Sequence, residues 1–197
     1  MDRETKRRKT RKLLLDETKA LVQEKGCNYM TLNDIIKRTG LSKGAIYHYV
    51  KSKDELLALV LEERMAEIND RFFAKVKQGR REFDGPLQEI VKKLPSLQDP
   101  HEATNQIFLY LISKNDQPAV SEIINKFYDQ AVQLSKQWIT AGQDAGVISR
   151  AVHTDKTAEL FMLISYGFRM RSSISENAHA FNADDFSILM ADLLQSK

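Results

Sequence analysis

Thr31, Ser42, Lys43, Gly44, Tyr47, His48 and Lys53 lie close together in the sequence and offer hydroxyls, amines, a phenol and an imidazole. That set suits hydrogen bonding to anions and base edges better than bond cleavage. Thr31, with Asp34 three residues later, reads as an N-cap with a weak capping box that opens a helix through Arg38. Its hydroxyl and the free N–H groups of that first turn can face a phosphate. Gly40 ends the helix, and Ser42 caps a second one over Lys43 to Tyr49. At the head of this second helix Lys43 can donate to guanine O6 and N7, while Gly44 lets the backbone approach a base edge or phosphate. Tyr47 and His48 follow on the exposed side. Helix, short turn with glycine, helix is the grammar of a DNA reader.

The elements that must position these residues are all predicted to be helical. Leu14, Thr18, Leu21 and Val22 mark one face of a first helix from about Arg7 to Lys25, stopped by Gly26. Ser52 and Glu55 form a capping box at the start of a long helix, Lys53 to Lys77. Beyond it the patterning predicts helices from Gly85-Pro86 to Leu94, Glu102 to Lys114, Pro118 to Ala141, Asp155 to Ser173 and Asp184 to Gln195, with a loop at Pro95–Pro100. No strand alternation or internal repeat appears. The expected fold is all-α: a three-helix helix-turn-helix domain over residues 1–52 and a larger helical effector-binding and dimerisation domain over 53–197.

Charge separates the same two regions. Residues 1–53 hold 14 Lys/Arg against 6 Asp/Glu, and the remainder holds 16 against 21. A basic first quarter on an acidic remainder implies that one end meets a polyanion. No apolar run approaches the roughly 20 residues needed to span a bilayer, and the basic N-terminus lacks the apolar stretch of a secretory signal. A cytoplasmic protein without membrane contact is expected. Cys27 is the only cysteine, and His48, His101, His153 and His179 are scattered. No metal, no cofactor and no catalytic residues are therefore expected, and no H-E-x-x-H, P-loop or G-x-G-x-x-G occurs. An enzyme is the remote alternative. A membrane-surface protein held by the basic Lys6–Lys12 cluster is another rival, weakened by its narrow apolar face.

The run from Thr31 to Leu56, with Asp34-Ile35, Gly40-Leu41-Ser42, Gly44, Ile46-Tyr47, Ser52-Lys53 and Leu56, resembles the DNA-binding domain of the TetR family of transcriptional regulators. The resemblance covers about residues 10–60. It implies that Tyr47 contacts a phosphate, that His48 faces bases and that Lys53 holds the DNA backbone. Arg7, Arg8 and Lys9 are read as an arm toward an adjacent minor groove. Val22, Val50 and Ile36 depart from the family's common residues, which predicts a repacked core.

The resemblance also implies a homodimer on a palindromic, double-stranded operator, with repression relieved by a small-molecule effector in the C-terminal helices. Phe161, Leu163, Ile164, Phe168, Leu189, Leu193 and Leu194 offer more apolar surface than two terminal helices can bury alone. Phe161, Ile164, Phe168, Leu189 and Leu193 are taken as the dimer contacts. The pocket candidates are Phe72, Phe108, Tyr110, Leu111, Phe127, Tyr128, Trp138, Met162 and Tyr166, aromatics that suit an apolar or flat ligand. A regulator without ligand, or one controlled by a protein partner, is the alternative that this sequence leaves open.

Overall fold

Apolar residues recur at three- and four-residue steps along most of the chain, and the backbone follows them as helix. A computed structural model describes residues 2–78, 84–175 and 179–195. In order these form α1 (Arg3–Tyr29), α2 (Leu32–Thr39), α3 (Lys43–Tyr47), α4 (Lys53–Lys77), α5 (Asp84–Val91), a 3-10 turn (Leu94–Gln98), α6 (Ala103–Ile112), α7 (Pro118–Asp144), α8 (Thr154–Ile174) and α9 (Ala183–Gln195). No strand occurs among the described residues, as the all-α reading requires. No helix among them is long and apolar enough to cross a membrane.

Two local readings change. Helix α1 begins at Arg3, so Arg7, Arg8 and Lys9 belong to a helix and form no extended arm. The segment read as a loop after Leu94 is a 3-10 turn with proline near its start. Gly26 does interrupt α1, with φ at 76°, a conformation that costs glycine little and other residues much.

The chain packs as two units. The first comprises residues 1–64 and 101–127, the second residues 65–100 and 128–197. This line runs elsewhere than the sequence division at 52/53, because α6 packs on α1 and joins the first unit. In the first unit Leu14, Leu15, Leu21 and Val22 of α1 are buried together with Ile35, Ile46, Val50, Leu56, Leu57, Ile107 and Leu111. Each fully buried aliphatic side chain contributes about 1.5–3 kcal/mol. Val22 and Val50, the departures from the family pattern, are both buried. Thr18, also buried, satisfies its hydroxyl by donating to the Leu14 carbonyl at 2.7 Å.

The second unit is built on Phe186. Its ring meets Phe161 edge-on at 5.9 Å and Phe168 at 5.7 Å, and Phe181 stacks on Phe168 at 5.8 Å. Ala131, Val132, Ile139, Ala158, Met162, Met190 and Leu194 complete that core.

Candidate nucleic-acid interface

Helix α2 is fastened to α1 at both ends. Thr31 Oγ1 accepts from the Asp34 N–H at 3.2 Å, and the Asp34 carboxylate accepts from the Thr31 N–H at 2.9 Å, a complete capping box. Lys25 donates to the same carboxylate at 2.7 Å. The Lys25 ammonium first, and the Thr31 donors after it, hold the Asp34 carboxyl down at about 2. The cap is therefore fully ionised at neutral pH. At the other end Arg38 donates to Glu17 at 2.7 Å and to Glu24 at 2.5 Å, which pulls the Glu24 carboxyl below its ordinary range. Gly40, at φ 67°, then turns the chain by a left-handed conformation and returns its N–H to the Ile36 carbonyl.

Helix α3 follows from this turn. The Ser42 hydroxyl accepts from the Ala45 N–H at 3.2 Å, so its cap is made. Ile46 alone within α3 is buried, and it points the opposite face outward. On the exposed side stand Lys43, Gly44, Tyr47 and His48, with the Lys43 ammonium 5.6 Å from the centre of the Tyr47 ring. Tyr47 is 44% exposed, so its ring edge and hydroxyl face solvent. A Cβ built on Gly44 meets nothing within 4 Å, and its φ is not left-handed. The fold itself thus makes no demand for glycine at this position.

The structure brings Ser42, Lys43, Gly44, Tyr47 and His48 onto one short element, and Thr31 stands at the head of the helix before it. Lys53 is placed differently from the others. Its ammonium donates to the Cys27 and Asn28 carbonyls at 2.8 and 3.3 Å and lies 5.1 Å from the Tyr110 ring centre. A cation at the end of α1 is favoured by the carbonyls left free there. Burial beside this contact pushes the Cys27 thiol up to about 11, which leaves it an unreactive core residue.

Three further contacts hold the module together, the first of them consistent with packing of Tyr49 on the first helix. The Tyr49 hydroxyl donates to the Arg7 carbonyl at 3.3 Å, tying the start of α1 to the segment after α3. Arg38 makes the double ion pair described above. Asp54, in the first turn of α4, accepts from Tyr110 at 3.0 Å and from Lys114 at 2.5 Å. Tyr110 lies in the last turn of α6 and Lys114 just beyond it, a four-residue spacing that could have flagged them as a pair.

The pocket candidates are divided between the two units. Phe108, Leu111 and Phe127 lie in the first unit's core, and Tyr110 is bound to Asp54. Phe72, Tyr128, Trp138, Met162 and Tyr166 share the second unit. There Phe72 and Trp138 rings sit 5.5 Å apart, the indole donates to Asn69 at 3.0 Å, and Tyr128 lies 6.0 Å from Tyr166. The dimer candidates also divide. Phe161 and Phe168 are buried in their own unit, and Ile164, Leu189 and Leu193 pack against that core. The apolar residues left outside are Leu160, Leu163, Met170 and Ile174 on α8 and Ile188 on α9. The exposed stripe on α8 therefore includes Leu163 and runs beside Phe161, Ile164 and Phe168.

Comparison with known proteins agrees with this module. Residues 14–60 match the family model described as bacterial regulatory proteins, tetR family. The chain is 40% identical over 87 residues to YvaF of Bacillus subtilis (strain 168), described as an uncharacterized HTH-type transcriptional regulator. That match spans 44% of this chain and 41% of the relative. Among solved structures, Salmonella enterica GusR superposes with a TM-score of 0.63 at 22% identity, covering 94% of this chain and 95% of that one. A Saccharomonospora viridis protein described as a transcriptional regulator, solved in complex with choline, gives 0.61 at 19% identity over 95% and 96%. At such identities the structural likenesses speak for the fold: a helix-turn-helix module followed by a larger helical part.

Proposed function

Because the chain belongs to the TetR family of transcriptional regulators, we propose that it is a repressor that binds a palindromic operator as a homodimer and releases it on binding a small molecule. The observation that carries the reading is the exposed row Lys43, Gly44, Tyr47 and His48 on a helix anchored from behind by Ile46. Lys43 reads a base edge, His48 faces bases, and Tyr47 donates to a phosphate. Thr31 and Ser42 present the first turns of their helices to the backbone, while Lys53, committed to the Cys27 and Asn28 carbonyls, braces the end of α1 against α4. Such a protein acts on cytoplasmic DNA and performs no chemistry of its own.

One short reading helix gives little affinity, so a two-fold pair is required to span two half-sites. Support comes from α8, where Leu160, Leu163, Gly167, Met170 and Ile174 follow one another at steps of three and four on the exposed side. That is the seam spacing of two helices packed side by side. A second copy of the same stripe is its natural cover. For release, the effector sits among Phe72, Tyr128, Trp138, Met162 and Tyr166. Helix α4 is continuous from Lys53 to Lys77, its first half in one unit and its second half in the other. A ligand that prefers one setting of α4 alters the separation of the two readers; equal affinity for both settings would release nothing. The choline found with the Saccharomonospora viridis protein illustrates the size of molecule that this fold accepts.

Gly44→Ala tests the reading through two effects of opposite sign. Alanine favours helix over glycine by about 0.5–1 kcal/mol, and the Cβ meets open space, so the variant should melt no lower than the native protein. The same methyl stands where the DNA backbone or a base edge approaches, so operator affinity should fall by about tenfold or more, about 1.4 kcal/mol. Unchanged affinity in a titration on promoter DNA would remove α3 from the interface.

A further inference from the structure

The first two turns of α1 carry Arg3, Lys6, Arg7, Arg8 and Lys9, all of them exposed. None of these five forms an ion pair among the described residues. Pairing begins only further along the helix, where Arg11 meets Glu63 and Lys12 lies 3.6 Å from Asp16. Five like charges on two helical turns repel one another, an arrangement that gains nothing inside the protein. Their position is fixed by Tyr49, whose hydroxyl holds the Arg7 carbonyl at 3.3 Å and whose ring meets His48 edge-on at 5.5 Å. The basic turns are thereby held beside the exposed end of the reading helix.

From this juxtaposition we infer that the start of α1 is a second DNA-binding element, a rigid basic helix that docks on the phosphate backbone flanking each half-site. The inference rests on the DNA-binding reading above. Helical form decides where the element can go. A helix with side chains is about 10–12 Å across, too wide for a minor groove of about 6 Å. The major groove at the half-site is taken by α3, which leaves the phosphates alongside. At 100° per residue the five cations encircle the axis, so the segment has no apolar stripe with which to enter a lipid surface. Five cations against the single carboxylate of Glu4 leave these turns strongly basic, which suits a duplex presenting phosphates along both of its strands.

The test uses the full-length chain and its variant R3Q/K6Q/R7Q/R8Q/K9Q, in which glutamine preserves helix propensity. Binding to a short mixed-sequence duplex is measured by fluorescence anisotropy from 50 to 200 mM salt. A control variant, K75Q/K77Q/K92Q/R150Q/K156Q, removes the same number of charges elsewhere. Removing one cation–phosphate pairing flattens the slope of log affinity against log salt by about 0.9. The N-terminal variant should flatten it by about two or more, one pairing from each protomer of a dimer, and the control should retain the native slope. Equal slopes for the native protein and the N-terminal variant overturn the inference while leaving the α3 interface intact. Equal flattening by both variants overturns it as well, since overall charge would then explain the change. Native protein that ignores the duplex at low salt sinks the DNA-binding reading itself. Co-sedimentation with anionic phosphatidylserine vesicles, abolished in the N-terminal variant while its DNA slope is unchanged, would assign the basic turns to a membrane instead.

Discussion

Leu163→Asp is expected to leave the protein as a single chain in solution and to lower its operator affinity by about 100-fold or more. Leu163 is 63% exposed at the middle of the α8 stripe, so a carboxylate there costs the isolated fold little. In a two-fold pair the same carboxylate is buried against apolar side chains and faces its own copy, a cost of several kcal/mol that an interface of ordinary size cannot absorb. Separated readers lose the high effective concentration that a linked second half-site provides, typically worth 10²–10⁴-fold. Sedimentation and operator titration of the same sample check both parts. A pair that persists with native affinity would move the interface away from α8. Phe161→Asp makes the contrast, because Phe161 is buried against Phe186 and its loss should unfold the second unit outright.

Ile46→Ala should abolish operator binding with the pair intact. Within α3 Ile46 alone is buried, and it is fully so, which makes it the single apolar anchor of a five-residue helix. Isoleucine to alanine in a core costs about 2–5 kcal/mol, a large share of the 5–15 kcal/mol that holds a typical domain. So short a helix has no propensity to stand alone, and without the anchor Lys43, Tyr47 and His48 lose their common orientation. Amide hydrogen exchange should show α3 opening first, with α8 and α9 protected as in the native protein. Native protection of α3 together with native affinity would contradict this account of how the row is held.

Much of the reading module was legible because its signals are local. Thr31-x-x-Asp34 announces a cap, Gly40 a left-handed turn and Ser42 a second cap, and each forms the hydrogen bonds its spacing requires. Helix α4 begins at Lys53 for a similar reason: Ser52 accepts from the Glu55 N–H at 3.1 Å, and Glu55 reaches back to the Lys51 N–H at 2.6 Å. Long-range choices were not legible in this way. Helix α8 is apolar on two faces, and periodicity does not tell which face meets its own core. The larger rings of Phe161 and Phe168 went inward to Phe186, leaving Leu160, Leu163 and Met170 outside. Aromatic identity likewise could not sort Phe108 and Phe127 from Tyr128 and Trp138, because only the tertiary packing assigns them to different units. Lys53 shows a third limit. A resemblance can suggest an outside partner for a cation, but it cannot foresee the Cys27 and Asn28 carbonyls that the fold turns toward it.

The most direct measurement is hydroxyl-radical footprinting of the intact protein on DNA drawn from upstream of its own gene and its neighbours, at low salt and with Lys43→Ala alongside. Two protected patches are expected, related by a palindrome and centred about 34–36 Å apart, one duplex turn, or a multiple of that spacing. With Lys43→Ala, discrimination at one base pair in each patch should weaken by about 1–3 kcal/mol. A single patch, or the same affinity for native and shuffled DNA, would contradict paired reading through α3.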